Sequence, residues 1–316
     1  MKKKKNKLTQ GQISEVIIYP IVLIVIIICS FLDENFLSFR NLYNILLSSI
    51  PLLLVAFAQM IVMLGAGLDL SIGGIVSLTN VLFVHFVDAD SNIGFVLPLV
   101  LSLFSGIICG FINGFLITKG RLSSVITTIA TSSIFSGLAL AIRPIPGGKV
   151  HRVFAKFIMG QNGIPFPILL IFSGIIIMAY ITTWSKFGKH LRAVGGNAEA
   201  AYSVGISVNT IHNLSFVISG IISALAGIFL SAQMTSGDAT VGDSYTMNSI
   251  TIAVIGGTSF TGAIGNVGGL FAGSILLMTI NNILNLTGVS PFYQFIFQGG
   301  ILIIALAVGS IQMKRK

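Results

Sequence analysis

Long apolar runs separated by short polar breaks dominate the chain. The runs are continuous rather than alternating, a pattern typical of membrane-spanning helices and not of outer-membrane strands. At about 20 residues for each span, the length predicts an all-α polytopic membrane protein with about ten transmembrane helices. The predicted spans cover residues 16–32, 42–64, 70–87, 93–118, 122–142, 164–184, 208–232, 245–259, 266–286 and 291–310.

Two of these runs have unusual beginnings. Run 70–87 follows a glycine-rich break, and run 245–259 is too short to cross a hydrocarbon core of about 30 Å unless it is re-entrant or sheltered by protein. Gly-Leu-Asp-Leu-Ser at 67–71 opens the first, and Gly-Asp-Ser at 242–244 opens the second. They are the third and the eighth runs, an odd offset of five, so the two halves would form an inverted repeat, the arrangement that places solute sites in transporters. Chance similarity is the competing explanation, because the match is short.

Composition excludes most other classes of protein. Of the 316 residues, 54% are hydrophobic and only 9% are charged, whereas a soluble domain carries about 25% charged residues. A soluble enzyme, a disordered chain, a collagen-like repeat and a disulfide scaffold are therefore excluded. Cys29 and Cys109 both lie inside apolar runs, which favours neither a disulfide framework nor a metal site.

Charge predicts orientation. The net charge is +9, and in a membrane protein basic residues mark cytoplasmic breaks rather than nucleic-acid binding. Alternating ten spans from a cytoplasmic N-terminus places both termini and the break 185–207 inside. The exception is the break 143–156, because the alternation places its four basic residues on the extracytoplasmic side. A miscount of one span upstream would explain that placement equally well.

The chain ends define the domain boundaries. Five lysines precede the first apolar run, which is longer than a normal signal core and is followed by no small-residue cleavage site. A retained first span is therefore favoured over a cleaved signal peptide. We predict a basic cytoplasmic tail at 1–15, a transmembrane permease domain at 16–310 and a second basic tail at 311–316.

Glycines at four-residue spacing allow helix backbones to approach closely within lipid. One such ridge is Gly106, Gly110 and Gly114, and a second is Gly265, Gly269 and Gly273. A dimer face is one interpretation. Packing within the chain is favoured, because a protein of ten helices has more internal contacts than external ones.

Asp69 is the clearest candidate for a functional side chain. It is a charged residue inside an apolar segment, surrounded by glycines that permit unwound backbone. A carboxylate at membrane depth is costly unless it is paired or reaches water. One interpretation places Asp69 beside a solute pathway, and the other makes it a cap for the helix that begins at residue 70; the two are compatible.

Other polar residues also interrupt the predicted spans. Each could line a pathway or act as a hydrogen-bonding link between helices. Signatures of zinc hydrolases and serine hydrolases are absent from the sequence, as are Cys/His ligand clusters. The candidate pathway set is Gln59, Gly67, Asp69, Ser71, Asn80, Asn113 and Asn248.

The hydrophilic break 185–207 predicts a short cytoplasmic helix. Good helix formers occupy 198–202, Asn197 suits the N-cap and Gly205 suits the end. The helix could be a plain surface helix or a docking element for a soluble partner. No G-x-x-x-x-G-K-[ST] run occurs in the chain, so ATP-driven transport would require a separate ATPase.

Four stretches, in order, resemble the ribose-type permeases of the ABC transporter superfamily. LGAGLDLSIGGIVSL (64–78) is similar to the family's Gly-Ile-Asp-Leu-Ser-Val-Gly signature, and CGFINGFLITKG (109–120) to its Gly-x-x-Asn-Gly segment. Residues 189–206 resemble the Gly-Gly-Asn-x-x-Ala-Ala loop, and GGTSFTGAIGNVGGLFAG (256–273) a glycine-rich signature of the second half. Leu68 stands where the family usually has isoleucine, and Ser123 and Ser124 stand where it often has proline. These departures leave the identity of the substrate less determined than the class of transporter.

The resemblance implies a mechanism. Glu199-Ala200-Ala201 followed by Gly205 matches the loop that importer permeases dock into their ATPases. The implied ATPase-coupling set is Arg192, Gly195, Gly196, Asn197, Glu199, Ala200, Ala201 and Gly205. The chain itself would bind no cofactor, and ATP and Mg²⁺ would be used by the partner ATPase.

The resulting prediction is the permease subunit of an ATP-driven ABC importer for a sugar or a related small polar solute, in the bacterial inner membrane. The implied partners are cytoplasmic ATPase subunits, an extracytoplasmic solute-binding protein, a second permease chain and membrane lipid, without nucleic acid. An ion-coupled secondary transporter using Asp69 is the alternative. An intramembrane enzyme is disfavoured, because no nucleophile and base stand together.

Overall fold

The computed structural model describes residues 10–87 and 93–290, together with residues 293, 296, 299, 300 and 303. These residues fold into twelve α-helices, and α7 continues as a π-helical turn at Tyr180–Trp184. The helices are α1 Gln10–Leu32, α2 Phe39–Leu64, α3 Ile72–Phe86, α4 Val96–Thr118, α5 Ser124–Ile142, α6 Arg152–Ile158, α7 Phe166–Ala179, α8 Lys186–Gly196, α9 Ala198–Ser203, α10 Val208–Met234, α11 Asp243–Ile255 and α12 Val267–Leu286.

The all-α polytopic prediction is confirmed, but the number of spans is not. Within the described ranges, six helices are long and apolar enough to cross a membrane: α2, α4, α5, α7 with its π-turn, α10 and α12. The first nine predicted runs each coincide with a helix, while the tenth, 291–310, lies largely outside the described residues. The count falls short of ten partly because α3 and α11 are short, at 15 and 13 residues.

Helices α2 and α10 form the centre of the bundle. Within their most apolar windows, 83% and 72% of residues are buried, against 33% for α4, 28% for α5 and 22% for α7. Besides contacting each other, α2 packs against the short helix α11 and the long helix α12, while α10 packs against the short helix α3 and the long helix α4. An inverted repeat of two halves would produce this correspondence.

Both glycine ridges pack within the chain, as the sequence favoured. Gly114 has no room for a side chain, because an added Cβ would lie 2.8 Å from the Cα atom of Asn213 on α10. In the second ridge, an added Cβ on Gly269 would lie 2.8 Å from the carbonyl carbon of Gly256 at the end of α11. These glycines bring α4 against α10 and α12 against α11.

The bundle has two ends, which we name after the short helices that cover them. At the α8–α9 end, the last carbonyl of α2, Leu64, accepts a hydrogen bond from Ala263 N at 2.9 Å. At the α6 end, Tyr43 near the start of α2 donates to Met159 O at 3.0 Å, and Gly147 pairs with Gly237 in an isolated antiparallel bridge. The break 143–156 therefore lies at the end opposite the loop 185–207.

Candidate functional site

Two broken helices occupy the interior of the bundle. The chain leaves α2 with Ala66 at φ 62° and leaves α10 with Thr235 at φ 52°, so both long helices end in a left-handed residue. Segments 65–71 and 235–242 then lead into the short helices α3 and α11. The unwound backbone that the sequence predicted before α3 therefore has a counterpart before α11.

The same turn chemistry occurs in both segments. Asp69 Oδ1 accepts hydrogen bonds from Ser71 N at 3.0 Å and Ser71 Oγ at 2.6 Å. Asp238 Oδ1 accepts the equivalent bonds from Thr240 N and Thr240 Oγ1, both at 2.8 Å. The counterpart of Asp69 is therefore Asp238, and the sequence-based match of 67–71 to 242–244 has the wrong register. Two residues beyond Asp243 stands Tyr245, whose hydroxyl is too far from the backbone to close this turn.

The first turns of the two short helices bond to each other. Gly73 N donates to Thr246 Oγ1 at 3.1 Å, and Gly242 N donates to Ser77 Oγ at 2.9 Å. Ser77 lies nine residues before the end of α3 at Phe86, a distance of about 14 Å along a helix. Helix α11 therefore begins well inside the bundle rather than at its surface.

This placement explains how a short segment fits at membrane depth. Residues 248–253 of α11 are all buried by neighbouring helices. The expectation that run 245–259 is sheltered by protein is therefore confirmed, because no lipid-exposed backbone is needed there.

Asp69 is the centre of a buried hydrogen-bond network. Its side chain is fully buried, and its second oxygen, Oδ2, accepts a hydrogen bond from Ser219 Oγ on α10 at 2.8 Å. Ser71 Oγ in turn accepts from Asn113 Nδ2 on α4 at 2.7 Å, and Asn113 Oδ1 accepts from Thr131 Oγ1 on α5 at 2.6 Å. Four structural elements thus meet at one carboxylate. The expectation that Asp69 caps a helix beginning at residue 70 is wrong, because α3 begins at Ile72 with Ser71 as its N-cap, and Asp69 instead closes the turn that precedes the helix.

Helix α5 supplies hydroxyl groups to the unwound backbone before α3. Leu68 N donates to Ser124 Oγ at 3.3 Å, and Leu70 N donates to Thr128 Oγ1 at 3.0 Å. Backbone N–H groups at this depth have no water to bond, so side-chain acceptors are needed. Sequence reasoning missed this role of α5, although hydroxyl residues recur at 124, 128 and 131, on one face of the helix.

The remaining predicted pathway residues are also enclosed within the protomer. Asn80 Oδ1 accepts from Asp238 N at 2.8 Å, which ties α3 to the second break. Asn248 is buried in α11, and Gly67 lies against Val62 and Phe216. Gln59 is buried on α2, and neither its amide nitrogen nor its amide oxygen has a hydrogen-bond partner. Their role in a pathway stays a prediction.

The loop 185–207 forms two helices, and the second is the predicted short helix. Asn197 caps α9 by accepting a hydrogen bond from Ala200 N at 2.9 Å, and Gly205 follows its end with φ 86°. Both boundaries are therefore confirmed. Glu199 and Ala200 are exposed, while Ala201 is buried against the bundle.

Other members of the predicted coupling set face inward. Arg192 on α8 is partly buried, and desolvation lowers the pKa of its guanidinium, which nevertheless stays charged at neutral pH. Gly195 is buried beneath the end of α2, where an added Cβ would lie 3.0 Å from Ala263 N. Gly196 is exposed but lies beside Ala263. The loop therefore has an outward face on α9 and an inward face on α8.

The site as a whole suits a conformational task, because its side chains hold unwound backbone in shape. Within the described residues, no group of three or more His, Cys, Asp or Glu side chains could hold a metal ion. Asp69 already accepts three hydrogen bonds, from Ser71 N, Ser71 Oγ and Ser219 Oγ. Broken helices inside a polytopic bundle are the arrangement that forms solute sites in transporters.

Comparison with known proteins agrees with that class. Residues 41–306 match the family described as branched-chain amino acid transport system / permease component. The ribose import permease protein RbsC of Bacillus subtilis (strain 168) is 36% identical over 287 residues, covering 90% of this chain and 88% of that protein. RbsC of Haemophilus influenzae is 32% identical, covering 96% of each chain. The L-arabinose transport system permease protein AraH of Escherichia coli (strain K12) is 31% identical, covering 93% of this chain and 89% of that protein.

The chain therefore belongs to this family of transport-system permease components. It is a multi-pass membrane protein and a transport component rather than an enzyme.

Proposed function

We propose that this chain is the membrane-spanning permease subunit of an ATP-driven ABC importer for a monosaccharide resembling ribose. Relatives named for ribose, L-arabinose and D-allose transport are each similar along nearly the whole chain. These sugars share several hydroxyl groups and carry no charge. The sugar is selected largely by a separate binding protein.

The exposed helix α9 is the observation that carries this proposal. It projects from one end of the bundle, and Glu199, Ala200, Tyr202 and Val204 in and after it are exposed. Tyr202 and Val204 are 74% and 77% exposed, which leaves both side chains accessible to a partner at this end of the bundle. A cytoplasmic ATPase subunit is that partner, and it supplies the ATP and Mg²⁺ chemistry while the permease binds neither.

The outward faces of the helices indicate where the solute crosses. Helix α4 presents Val100, Phe104 and Phe111, a surface suited to lipid. Helix α5 exposes Ser133 at its midpoint, and α11 exposes Asp243 at its inner beginning. A carboxylate at this depth is costly against lipid and requires water or another protein chain.

Helices α5 and α11 both pack against the first turn of α3. Gly73 of α3 packs against Gly242 before α11, and the adjacent Gly74 packs against Ser132 of α5. The exposed carboxylate of Asp243 supports a second permease chain on this side, across a shared aqueous pathway. On this proposal a homodimer encloses the pathway, and the buried Asp69 network holds its wall in shape.

Orientation and span number complete the proposal. The α8–α9 end faces the cytoplasm of a bacterial cell, both termini lie there, and ten spans cross the inner membrane. The paired turns at Asp69 and Asp238 support an inverted repeat of the two halves. The α6 end then faces the extracytoplasmic binding protein.

Reconstitution tests this function directly. The permease is co-expressed with its ATPase subunit, incorporated into proteoliposomes and supplied with the binding protein and radiolabelled D-ribose, L-arabinose or D-allose. We expect uptake that requires ATP, that stops with a hydrolysis-deficient ATPase variant and that is insensitive to a protonophore. Uptake by the permease alone, driven by an ion gradient, would instead support secondary transport.

A further inference from the structure

Arg192 holds the docking loop to the membrane helices by three hydrogen bonds. Its Nε donates to Thr182 O at 3.0 Å, its Nη1 to Ala263 O at 2.8 Å and its Nη2 to Gly265 O at 3.1 Å. Thr182 lies in the π-turn after α7, and the other two carbonyls lie in the loop between α11 and α12. One planar guanidinium therefore joins three segments, which a lysine ammonium could not do in the same geometry.

The backbone next to Arg192 is clamped at the end of α2. An added Cβ on Gly195 would lie 2.9 Å from the carbonyl carbon of Leu64, the last residue of α2. Gly262 packs against Gly195 from the other side, and Leu64 O accepts the hydrogen bond from Ala263 N. Helix α8, the end of α2 and the loop 258–266 therefore form one contact without intervening side chains.

This contact reaches both broken helices. Leu64 directly precedes segment 65–71, which carries Asp69, and the loop 258–266 directly follows α11. Thr182 lies in the last helical turn before α8, where carbonyl groups lack partners within the helix and favour a cationic donor. A displacement of α9 would therefore be carried by α8 and Arg192 to the segment that leads into α3 and to the loop that follows α11.

The other charged side chains of α8 do not share this arrangement. Lys186, Lys189 and His190 are exposed, whereas Arg192 is partly buried against backbone carbonyls. Lys189 therefore provides a matched control, since it carries the same charge on the same helix.

We infer that Arg192 is the positioning residue that transmits movement of the ATPase-docked helix α9 to the two broken helices, without itself contacting the ATPase or the solute. The inference rests on the proposed function. It assigns to Arg192 a role that differs from that of the exposed residues of α9, which form the docking face.

The test compares Arg192→Gln and Arg192→Lys with Lys189→Gln in the reconstituted complex with its ATPase and binding protein. We expect all three variants to retain the ATPase during purification and to keep basal hydrolysis. Sugar transported per ATP should fall about tenfold in Arg192→Gln, fall less in Arg192→Lys and stay at the parent value in Lys189→Gln.

A disulfide provides the rescue. An added Cβ on Gly196 lies 3.7 Å from the Cβ atom of Ala263, within the Cβ–Cβ separation of about 3.5–4.5 Å that disulfides require. The pair Gly196→Cys and Ala263→Cys is introduced into Arg192→Gln on a background lacking Cys29 and Cys109. Oxidation should restore transport per ATP, and reduction should return it to the Arg192→Gln value, because the covalent link replaces the lost connection between α8 and the loop.

Each outcome decides the question. If Arg192→Gln transports as much sugar per ATP as the parent protein, the inference is overturned. It is also overturned if Arg192→Gln loses the ATPase during purification and oxidation of the disulfide does not restore binding, since that result would place Arg192 in the docking face. Should Arg192→Gln not be recovered folded, Arg192→Lys carries the same test, and a parental ratio there would count against the role. If the parent complex itself shows no ATP-dependent uptake, the proposed function fails instead.

Discussion

Gly73 and Gly242 touch backbone to backbone at the point where the two broken helices cross. An added Cβ on Gly242 would lie 2.7 Å from the carbonyl carbon of Gly73, and one on Gly73 would lie 3.1 Å from the carbonyl carbon of Gly242. Each glycine also donates its N–H to the hydroxyl of the residue four positions beyond the other. The relation is reciprocal, so a local two-fold axis passes between these residues.

Substitution at this crossing should destabilise the protein. Gly73→Ala and Gly242→Ala would each force the backbones of α3 and α11 apart, at a cost of about 1–3 kcal/mol, as for overpacking elsewhere. We expect a lower midpoint of thermal unfolding in detergent and reduced uptake. Gly137→Ala on α5 is the matched control, because no atom lies within 4 Å of its added Cβ. Equal unfolding midpoints for Gly73→Ala and Gly137→Ala would contradict the tight crossing.

Asp69 should tolerate loss of charge but not loss of its acceptor atoms. Asn can still accept a hydrogen bond from Ser71, whereas Leu leaves Ser71 and Ser219 without their acceptor, at about 1–3 kcal/mol for each buried donor. We therefore expect Asp69→Asn to keep substantial ATP-driven uptake and Asp69→Leu to lose it, at matched expression.

The ion-coupled alternative predicts a different result at the same position. Asn cannot titrate, so Asp69→Asn should abolish ion-coupled uptake as fully as Asp69→Leu does. Uptake by both variants is measured with and without a protonophore while ATP is held constant. Complete loss in both, together with protonophore sensitivity of the parent protein, would reject the importer mechanism for this residue.

Most of the fold could be predicted from the sequence, because apolar runs of sufficient length specify helices almost regardless of their partners. The register of the second break could not be predicted from Gly-Asp-Ser at 242–244. What decides it is a hydroxyl two residues after an aspartate, present in Asp69-Leu70-Ser71 and in Asp238-Ala239-Thr240. A search for that turn, rather than for a glycine next to an acid, would have found Asp238.

The site was predictable where it depends on local chemistry. Asn197 caps the start of α9, and Gly205 ends it with a left-handed backbone. Both features have signals in the sequence. The inward direction of Arg192 had none, because its partners are backbone carbonyls of Thr182, Ala263 and Gly265, and any residue type offers the same carbonyl. The hydrogen bond from Ser219 to Asp69 also had no sequence signal, because the two residues lie far apart in the chain.

Gly205 should be needed at the docking end for both its conformation and its small size. Its φ of 86° is strained for most residues, and the space around it is open. We expect Gly205→Glu to reach the membrane but to lose ATPase retention and uptake, while Gly205→Asn, which tolerates a left-handed backbone, keeps more of both. Gly163→Glu is the control, since Gly163 has a similar φ of 84° in open space at the α6 end. Normal uptake by Gly205→Glu would remove this loop from the mechanism.

Thiol labelling should show that the two ends of the bundle face opposite compartments. Ser207, before α10, and Gln161, after α6, are both exposed and lie at opposite ends. On a background lacking Cys29 and Cys109, an impermeant reagent applied to intact cells should label Gln161→Cys and not Ser207→Cys, because the basic residues of loop 185–207 are retained in the cytoplasm. Permeabilised cells provide the control, since both sites should then react. Labelling of Ser207→Cys alone in intact cells would reverse the orientation, and it would place α9 on the side where no ATPase could reach it.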